Sequence, residues 1–200
     1  RWHGPARTLR GEELAPSICL RLLMVRYRQV TKGATSLAYL PIENHGIIGD
    51  LHTTALIGMD GTIDWLCLPQ FDSPAVFASL LDDKKGGFFR IEGKDGTVNR
   101  KQFYWPDTNV LVTRFLSPDG VGQISDFMPV TDRGPWRGEH PLIRQVRGLR
   151  GTMRFRLECR PAFDYARQPH ELTLSEDRKC ALFAAPHHTF VLQSERPLVA

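Results

Sequence analysis

From residue 45 onwards, the chain alternates short runs of β-forming residues with turn residues. Short strands joined by tight turns are typical of antiparallel sandwiches and barrels, and 17 Gly and 14 Pro among 200 residues agree with many turns. The sequence therefore predicts a mainly β fold, a large antiparallel β-sandwich with one short helix. The predicted strands cover residues 53–57, 62–67, 88–91, 98–105, 109–116, 121–130, 153–159, 172–174, 180–184 and 189–193.

The clearest local signal is the dipeptide Asp60-Gly61, which lies between two β-rich runs. Both central residues of a type I′ turn have positive φ, and Asp-Gly is among the pairs that tolerate this. The sequence therefore predicts a β-hairpin over residues 53–67, closed by a type I′ turn.

The short helix is predicted directly afterwards, over residues 73–81. Ser73 can cap the first backbone amides of a helix, and Pro74 suits its first position. The run 82–87, which ends in two glycines, would terminate it. The apolar residues that would share one helical face are Val76, Phe77, Leu80 and Leu81.

The first 38 residues show no clear hydrophobic period, and we expect them to be a disordered or non-native extension that folding does not need. Residues 1–40 hold seven Lys or Arg and two acids, whereas residues 41–200 hold nineteen and twenty. The excess positive charge thus belongs to the extension, and the balanced remainder gives no reason to expect a nucleic-acid partner. Residues 39–200 are predicted to form the folded domain, truncated at its C-terminal end.

No membrane segment is expected, because the longest apolar stretch, residues 18–25, is interrupted by Arg21 and a spanning helix needs about 20 apolar residues. Glu12 and Glu13 precede this stretch and argue against a secretory signal. The four cysteines have no C-x-x-C spacing, which favours free structural thiols over a zinc ribbon or a disulfide framework. The absence of an N-x-S/T sequon agrees with a cytoplasmic protein.

Motif spacing excludes several kinds of chemistry. The adjacent pair His187-His188 would point to opposite faces of a strand, so no metal site is expected. Phosphate-loop and G-x-S-x-G motifs are absent, and no cofactor is expected. Paired carboxylates can hydrolyse glycosides, although Asp is also a common turn residue. The carboxylates that lie near aromatic residues in the sequence are Asp50, Asp64, Asp72, Asp126, Asp132 and Asp164.

Two long stretches, residues 41–50 and 54–77, closely resemble the opening of bacterial trehalases and glucoamylase-like enzymes of glycoside hydrolase family 15. The part from Asp60 to Phe77 is the longest and most specific. The resemblance keeps its order through the rest of the chain, over residues 109–115, 126–129, 144–151 and 161–167.

The resemblance implies a trehalase-like N-terminal domain, a β-supersandwich. In the family this domain precedes a helical (α/α) barrel, which carries two catalytic Glu residues that invert configuration at a terminal glucose. No part of this chain has the sequence pattern of that barrel. The resemblance therefore implies that the catalytic acids lie beyond residue 200, that the barrel is the domain's partner in the same parent chain, and that an α-glucoside is the substrate.

Two hypotheses follow for the function. The first is the non-catalytic N-terminal domain of an inverting hydrolase of trehalose or terminal α-linked glucose, present as a fragment. The second is a free-standing carbohydrate-binding β-sandwich, and a third reading is a non-functional gene fragment. An exposed apolar patch on one sheet would favour the first, because a docking face without its partner leaves apolar side chains exposed to solvent.

The stretch from Asp64 to Asp72, which begins in the second strand of the predicted hairpin and then leaves the sheet, supplies the candidate sugar-binding residues Asp64, Trp65 and Asp72. Proteins hold sugars by aromatic stacking and carboxylate hydrogen bonds, and a Pro-bounded loop with these residues can reach a neighbouring domain. We expect the loop to form the edge of the parent's glucose pocket. In the structural alternative, Trp65 is core, Asp64 pairs within the hairpin and Asp72 helps to cap the helix.

Overall fold

The computed structural model describes residues 39–94, 99–130 and 140–200, together with the backbone of residues 17–24. Within these ranges the protein is mainly β, as predicted, with a 3-10 turn at Ile42–Asn44 and one helical turn, α1 (Phe163–Ala166). The strands are β1 (Ser17–Met24), β2 (His45–Gly49), β3 (Thr54–Gly58), β4 (Thr62–Cys67), β5 (Ala75–Phe77), β6 (Phe88–Gly93), β7 (Asn99–Tyr104), β8 (Leu111–Leu116), β9 (Gly120–Phe127), β10 (Leu142–Gly151), β11 (Phe155–Arg160), β12 (Glu171–Leu174), β13 (Cys180–Ala184) and β14 (Thr189–Ser194).

The strands form two sheets. The eight-stranded sheet has the order β12-β13-β14-β1-β10-β9-β8-β7, and the six-stranded sheet runs β11-β6-β4-β3-β2 with β5 paired to β4. All pairings are antiparallel except those of β1, which runs parallel to both β10 and β14. The antiparallel β-sandwich expected from the sequence is confirmed.

The hydrophobic core lies between the two sheets and draws on both. Alternation along β14 buries every second residue, as a half-buried strand requires. Phe77 of the six-stranded sheet meets Phe190 of the eight-stranded sheet edge-on, with ring centroids 5.7 Å apart. A single continuous cluster of buried apolar side chains therefore joins the sheets.

A fully buried arginine also links the two sheets. Arg144 of β10 donates to the carboxylate of Asp126 on β9 at 2.8 Å. It also donates across the core to the carbonyl oxygens of Phe89, at 2.9 Å, and Gly61, at 2.7 Å. Burial raises the pKa of Asp126, whereas the charge and hydrogen bond of Arg144 act in the opposite direction. Asp126, one of the carboxylates that the sequence analysis singled out, thus has a structural partner.

The predicted hairpin is confirmed as β3 and β4, but the predicted type I′ turn is wrong. Gly61 has φ +86°, whereas Asp60 is not among the residues with positive φ. The Asp60 carboxylate instead accepts hydrogen bonds from the backbone N–H and hydroxyl of Thr62. The Gly61 N–H donates to the Gly58 carbonyl at 2.9 Å. The loop therefore has one left-handed position, as three-residue hairpin loops do, rather than the two of a type I′ turn.

The predicted helix over residues 73–81 is also wrong. Ala75–Phe77 form β5, which pairs with the end of β4, and all three residues are buried. A helix would have turned one of these side chains towards solvent, whereas a short strand covered on both faces buries all of them. The Ser73 hydroxyl accepts a hydrogen bond from the Gln70 N–H and caps no helix.

Two further features of the topology are invisible in the local pattern. β6 and β7 follow each other in the chain but belong to different sheets. β1 lies inside the stretch expected to be an extension and had not been predicted as a strand. The domain boundary at residue 39 stays a prediction, since residues 1–16 and 25–38 lie outside the described residues.

Within the described residues, no helix combines the length and the hydropathy needed to cross a lipid bilayer.

Candidate functional site

A β-bulge in β4 determines where Asp64 lies. Leu56 of β3 pairs with Trp65, and the next residue, Ile57, pairs with Ile63, so Asp64 has no partner across the ladder. Bulges of this kind bend a strand and redirect a side chain, and they are frequent next to functional sites. The bulge directs one of the three predicted site residues towards the neighbouring segment, whose Leu80 N–H donates to the Asp64 carbonyl at 3.1 Å.

Asp64 forms a buried pair with His45. Nε2 of His45 lies 2.7 Å from Oδ2 of Asp64, and the two side chains are 1% and 13% exposed. Nδ1 of His45 lies 3.1 Å from the Pro41 carbonyl, which can only accept, so this nitrogen carries a proton. The contact to Asp64 then holds a second proton, on the imidazole or on the carboxyl group. Burial raises the pKa of Asp64, while the hydrogen bond and charge of His45 lower it, with a net upward shift.

Beside this pair is a small polar cleft, which has room for about one water molecule. Two buried polar atoms near it have no hydrogen-bond partner among the described residues, Oδ1 of Asp64 and Oγ of Ser79. Buried polar atoms require partners, so the cleft can accept a water molecule, a sugar hydroxyl or another polar group. The residues that line it are Tyr39, Leu40, Asp60, Thr62, Asp64, Ser79, Leu80 and Asp83.

Trp65 lies away from this cleft. Its partly buried indole packs against Cys67, Ala75 and Ala78, and its ring centroid is 6.4 Å from that of Tyr165. Tyr165 is 43% exposed, so one side of this aromatic pair reaches solvent.

The turn that carries Tyr165 is left-handed. Asp164, Tyr165 and Ala166 have φ of 52°, 55° and 64°, a conformation that costs non-glycine residues about 1–2 kcal/mol each. Arg167 holds the turn, since its guanidinium donates to the Asp164 carboxylate at 2.5 Å and lies over the Tyr165 ring. Strain that is maintained in this way is frequent at functional sites, and it places an exposed aromatic ring beside Trp65.

Asp72 lies on an exposed loop, and its carboxylate forms no hydrogen bond within the described part of the chain. The loop itself is held in place, because the Phe71 N–H donates to the His52 carbonyl at 3.0 Å. The negative charge of Asp72 adds to burial in raising the pKa of the Cys67 thiol. No hydrogen bond or ion pair in the described ranges joins Asp72 to Asp64 or Trp65, so the assignment of these three residues to one sugar site stays a prediction.

The structure also brings together residues that sequence spacing did not connect. His45 pairs with Asp64, and Ser79 lines the polar cleft beside that pair. His52 and His140 lie close to Asp50. Of these last three residues, only Asp50 had been singled out from the sequence, as a carboxylate near aromatic residues. His140 lies 90 positions further along the chain, so no local spacing could connect the two. Asp132, another carboxylate of interest, lies outside the described residues.

Comparisons with known proteins place these features in a family. The family described as trehalase-like, N-terminal, matches residues 28–194. A trehalase of Thermoplasma volcanium is 34% identical over 178 residues, which cover 88% of this chain and 27% of the relative. A trehalase of Mycolicibacterium smegmatis is 33% identical over 144 residues, or 64% of this chain and 21% of the relative.

A trehalase of Thermoplasma acidophilum is 42% identical over 114 residues, which cover 56% of this chain and 19% of the relative. No solved structure matches the chain significantly. The chain thus spans about a quarter or less of the length of these three relatives. The match over residues 28–194 shows that the chain belongs to the trehalase-like N-terminal domain family.

Proposed function

We propose that this chain is the non-catalytic N-terminal domain of an inverting, glucoamylase-like hydrolase of glycoside hydrolase family 15. The parent would act on trehalose or on terminal α-linked glucose, and its catalytic acids would lie in a helical (α/α) barrel beyond residue 200. The observation that carries the proposal is the family match together with the small share of each trehalase that the chain covers. The free thiols Cys67, Cys159 and Cys180 support a reducing, cytoplasmic location.

An exposed apolar edge supports a docking role. β2 and β7 are edge strands of different sheets, and the Tyr104 hydroxyl joins them by donating to the Ile47 carbonyl and accepting from the Ile47 N–H, both at 2.8 Å. Exposed apolar groups clustered at one place mark an interaction surface. We propose that the barrel packs here. The exposed apolar residues of this edge are Ile47, Leu51, Phe103, Tyr104 and Trp105.

The loop with Asp72 would border the glucose pocket of the parent, next to the Trp65–Tyr165 pair. In the complete enzyme, Asp72→Asn keeps the shape of the side chain and removes its charge. A hydrogen bond that involves a charged group contributes about 1.5–3 kcal/mol, so kcat/KM should fall roughly tenfold to hundredfold. Asp119→Asn, at an exposed turn between β8 and β9, is the matched control. Unchanged kinetics in a stably folded Asp72→Asn enzyme would remove the loop from the site.

A second candidate is a free-standing carbohydrate-binding module. The aromatic side chains of Phe103 and Trp105 meet edge-on at the exposed end of β7, with ring centroids 6.4 Å apart, and such rings can stack on sugars. This candidate requires the isolated chain to bind soluble starch, maltose or trehalose, which isothermal titration calorimetry measures. Binding that Trp105→Ala abolishes would favour the module, and its absence would favour docking to a barrel.

A further inference from the structure

Three potential metal ligands meet where β2 ends and β10 begins. Asp50 and His52 follow β2, and His140 lies two residues before β10. One ligand atom from each residue lies within 4.8 Å of the other two. Two imidazoles and one carboxylate form a donor set that transition-metal ions prefer, since imidazole suits zinc, copper, iron and nickel.

The carboxylate of Asp50 is positioned for a ligand by its surroundings. It is 6% exposed, and its Oδ1 accepts the backbone N–H groups of His52 and Thr53, both at 2.9 Å. This leaves Oδ2 to face Nδ1 of His140, at 2.7 Å. Nδ1 of His52 lies 3.3 Å from the Asp50 carbonyl. Hydrogen bonds of this kind orient the ligands in known metal sites and raise their affinity for the ion.

The backbone between two of these residues is strained. Leu51 has φ +75° and is 83% exposed, so no packing of its side chain offsets the unfavourable conformation. A bulky residue at positive φ is an outlier, and such outliers persist where surrounding contacts hold them, often at ligand sites. Here the Asp50 carboxylate and the hydrogen bond from Phe71 to His52 hold the loop. The loop therefore keeps a strained residue between two side chains whose ligand atoms lie close together.

We propose that Asp50, His52 and His140 bind a divalent transition-metal ion, with Zn²⁺ as the representative ion. Zn²⁺ sites with three protein ligands keep a further coordination position for water or another ligand, and the exposure of His52 leaves room for one. Zn–N and Zn–O bonds near 2 Å set neighbouring ligands about 3.3 Å apart in a tetrahedron, so Asp50 and His140 need to separate by only about half an ångström. Mg²⁺ and Ca²⁺ favour oxygen ligands and should bind far more weakly.

The test uses the chain without an affinity tag, stripped of metal with a chelator. Titration with ZnCl₂ in a calorimeter should give one bound ion per chain, and the visible absorption of added Co²⁺ should report imidazole coordination. At about one hundred times the dissociation constant, Zn²⁺ should raise Tm by roughly 5–10 °C. MgCl₂ at the same concentration should leave Tm unchanged.

Variants assign the ligands. His52→Gln and His140→Gln should each weaken Zn²⁺ binding by more than about tenfold, and the exposed position of His52 makes its variant the safer one for folding. His187→Gln, at an exposed histidine elsewhere, should bind as the unchanged chain does. A dissociation constant weaker than about 0.1 mM, or unchanged affinity in folded His52→Gln and His140→Gln proteins, would overturn the proposal. Tighter binding of Mg²⁺ than of Zn²⁺ would overturn it as well.

Discussion

Arg144 shows how one side chain can organise a β-sandwich. Its guanidinium neutralises the buried Asp126 within its own sheet and donates to two carbonyl groups of the opposite sheet. It also lies over the Phe89 ring, 4.7 Å from the centroid. A buried charge is costly unless it is paired and hydrogen-bonded, and here the pairing extends across the core. Asp126 and Arg144 therefore depend on each other and on the register of both sheets.

Arg144→Met should destabilise the protein by about 3–5 kcal/mol, because Asp126 would be left as an uncompensated buried charge. The double variant Arg144→Met/Asp126→Asn should recover only part of this loss, since the carbonyl oxygens of Gly61 and Phe89 still lose the hydrogen bonds that Arg144 donates. Urea unfolding followed by circular dichroism measures both changes. Arg114→Met, at a partly buried arginine of β8, is the control and should cost about 1 kcal/mol. A loss below that in Arg144→Met would contradict the assigned role.

His170 should make stability depend on pH. Its ring lies between those of Phe163 and Phe183, 5.4 and 5.6 Å away, and burial lowers its pKa below the ordinary value of 6.5. The unfolded chain takes up the proton near pH 6.5 and the folded chain at a lower pH. Burial of neutral His170 therefore contributes fully to the free energy of unfolding above pH 6.5, and this contribution is lost as the pH falls through the folded pKa.

In His170→Phe, the decrease in stability between about pH 7.5 and about pH 5 should be smaller than in the unchanged chain. Urea midpoints at the two pH values give the comparison. His187→Gln removes an exposed histidine and should keep the original pH dependence. If His170→Phe keeps it too, burial of His170 is not its source.

At the scale of secondary-structure elements, turns and strand pairing determine which positions tolerate substitution. Gly61 closes the β3–β4 hairpin in a left-handed conformation, and a Cβ there would lie 2.2 Å from the Ile91 carbonyl oxygen. The same backbone segment accepts the hydrogen bond from Arg144. The turn of one hairpin is thus also a contact between sheets.

Gly61→Ala should destabilise the protein by at least about 1–3 kcal/mol, from the positive φ alone, and the contact with Ile91 adds to this. Gly148→Ala is the matched control, since no atom lies within 4 Å of its added Cβ, and its stability should change by less than about 0.5 kcal/mol. Thermal unfolding of the two variants measures the difference. Equal melting temperatures would show that the loop can readjust.

The N-terminal strand β1 is an element whose removal is informative. It pairs on both sides, with Leu20 opposite Leu142 and Ile18 opposite Phe190, so a chain that begins at residue 25 loses two ladders within the eight-stranded sheet. We expect this truncation to lower Tm by about 10 °C or more, equivalent to about 3 kcal/mol for a domain of this size. A chain that begins at residue 17 should keep its Tm. An unchanged Tm in the shorter chain would instead agree with the sequence-based expectation that the segment is dispensable.

At the scale of the whole molecule, the described residues form one sandwich with a polar cleft, a strained aromatic turn and an apolar edge. The His45–Asp64 pair can hold a proton, but glycoside hydrolysis uses two carboxyl groups on either side of the bond. The relatives named trehalase are about four to five times longer than the stretch that this chain covers. A supporting role within a larger enzyme agrees with all of these features.

The isolated chain should therefore release no glucose from trehalose, maltose or starch at an enzymatic rate, on the order of 1 s⁻¹ or more. A coupled glucose assay with purified protein tests this, and a complete trehalase assayed in parallel shows that the conditions permit turnover. If the chain does hydrolyse one of these sugars at an enzymatic rate and Asp64→Asn abolishes the activity, the chain carries its own catalytic acid.

Much of the fold could be predicted because strands and turns have local signals. Alternating side chains and turn residues located β3, β4, β8, β9, β13 and β14 to within a few residues. The same reasoning failed over residues 73–81, because apolar spacing there suits both a helix and a strand, and pairing with β4 decides between them. The turn type predicted at Asp60-Gly61 was wrong because the Asp60 carboxylate accepts a hydrogen bond from the Thr62 N–H. The dipeptide alone does not specify which local hydrogen bonds form.

For the candidate sites, the residue types could be predicted but their partners could not. The chain's local pattern was sufficient to determine a β-rich sandwich and to single out Asp50, Asp64 and Trp65, because strand periodicity and turn chemistry act over a few residues. Only the tertiary structure decided that Asp64 lies at a bulge beside His45, that Trp65 meets Tyr165, and that His140 reaches Asp50. These contacts join residues 19 to 100 positions apart. They form because strand pairing within the six-stranded sheet and packing of the two sheets bring distant segments of the chain together.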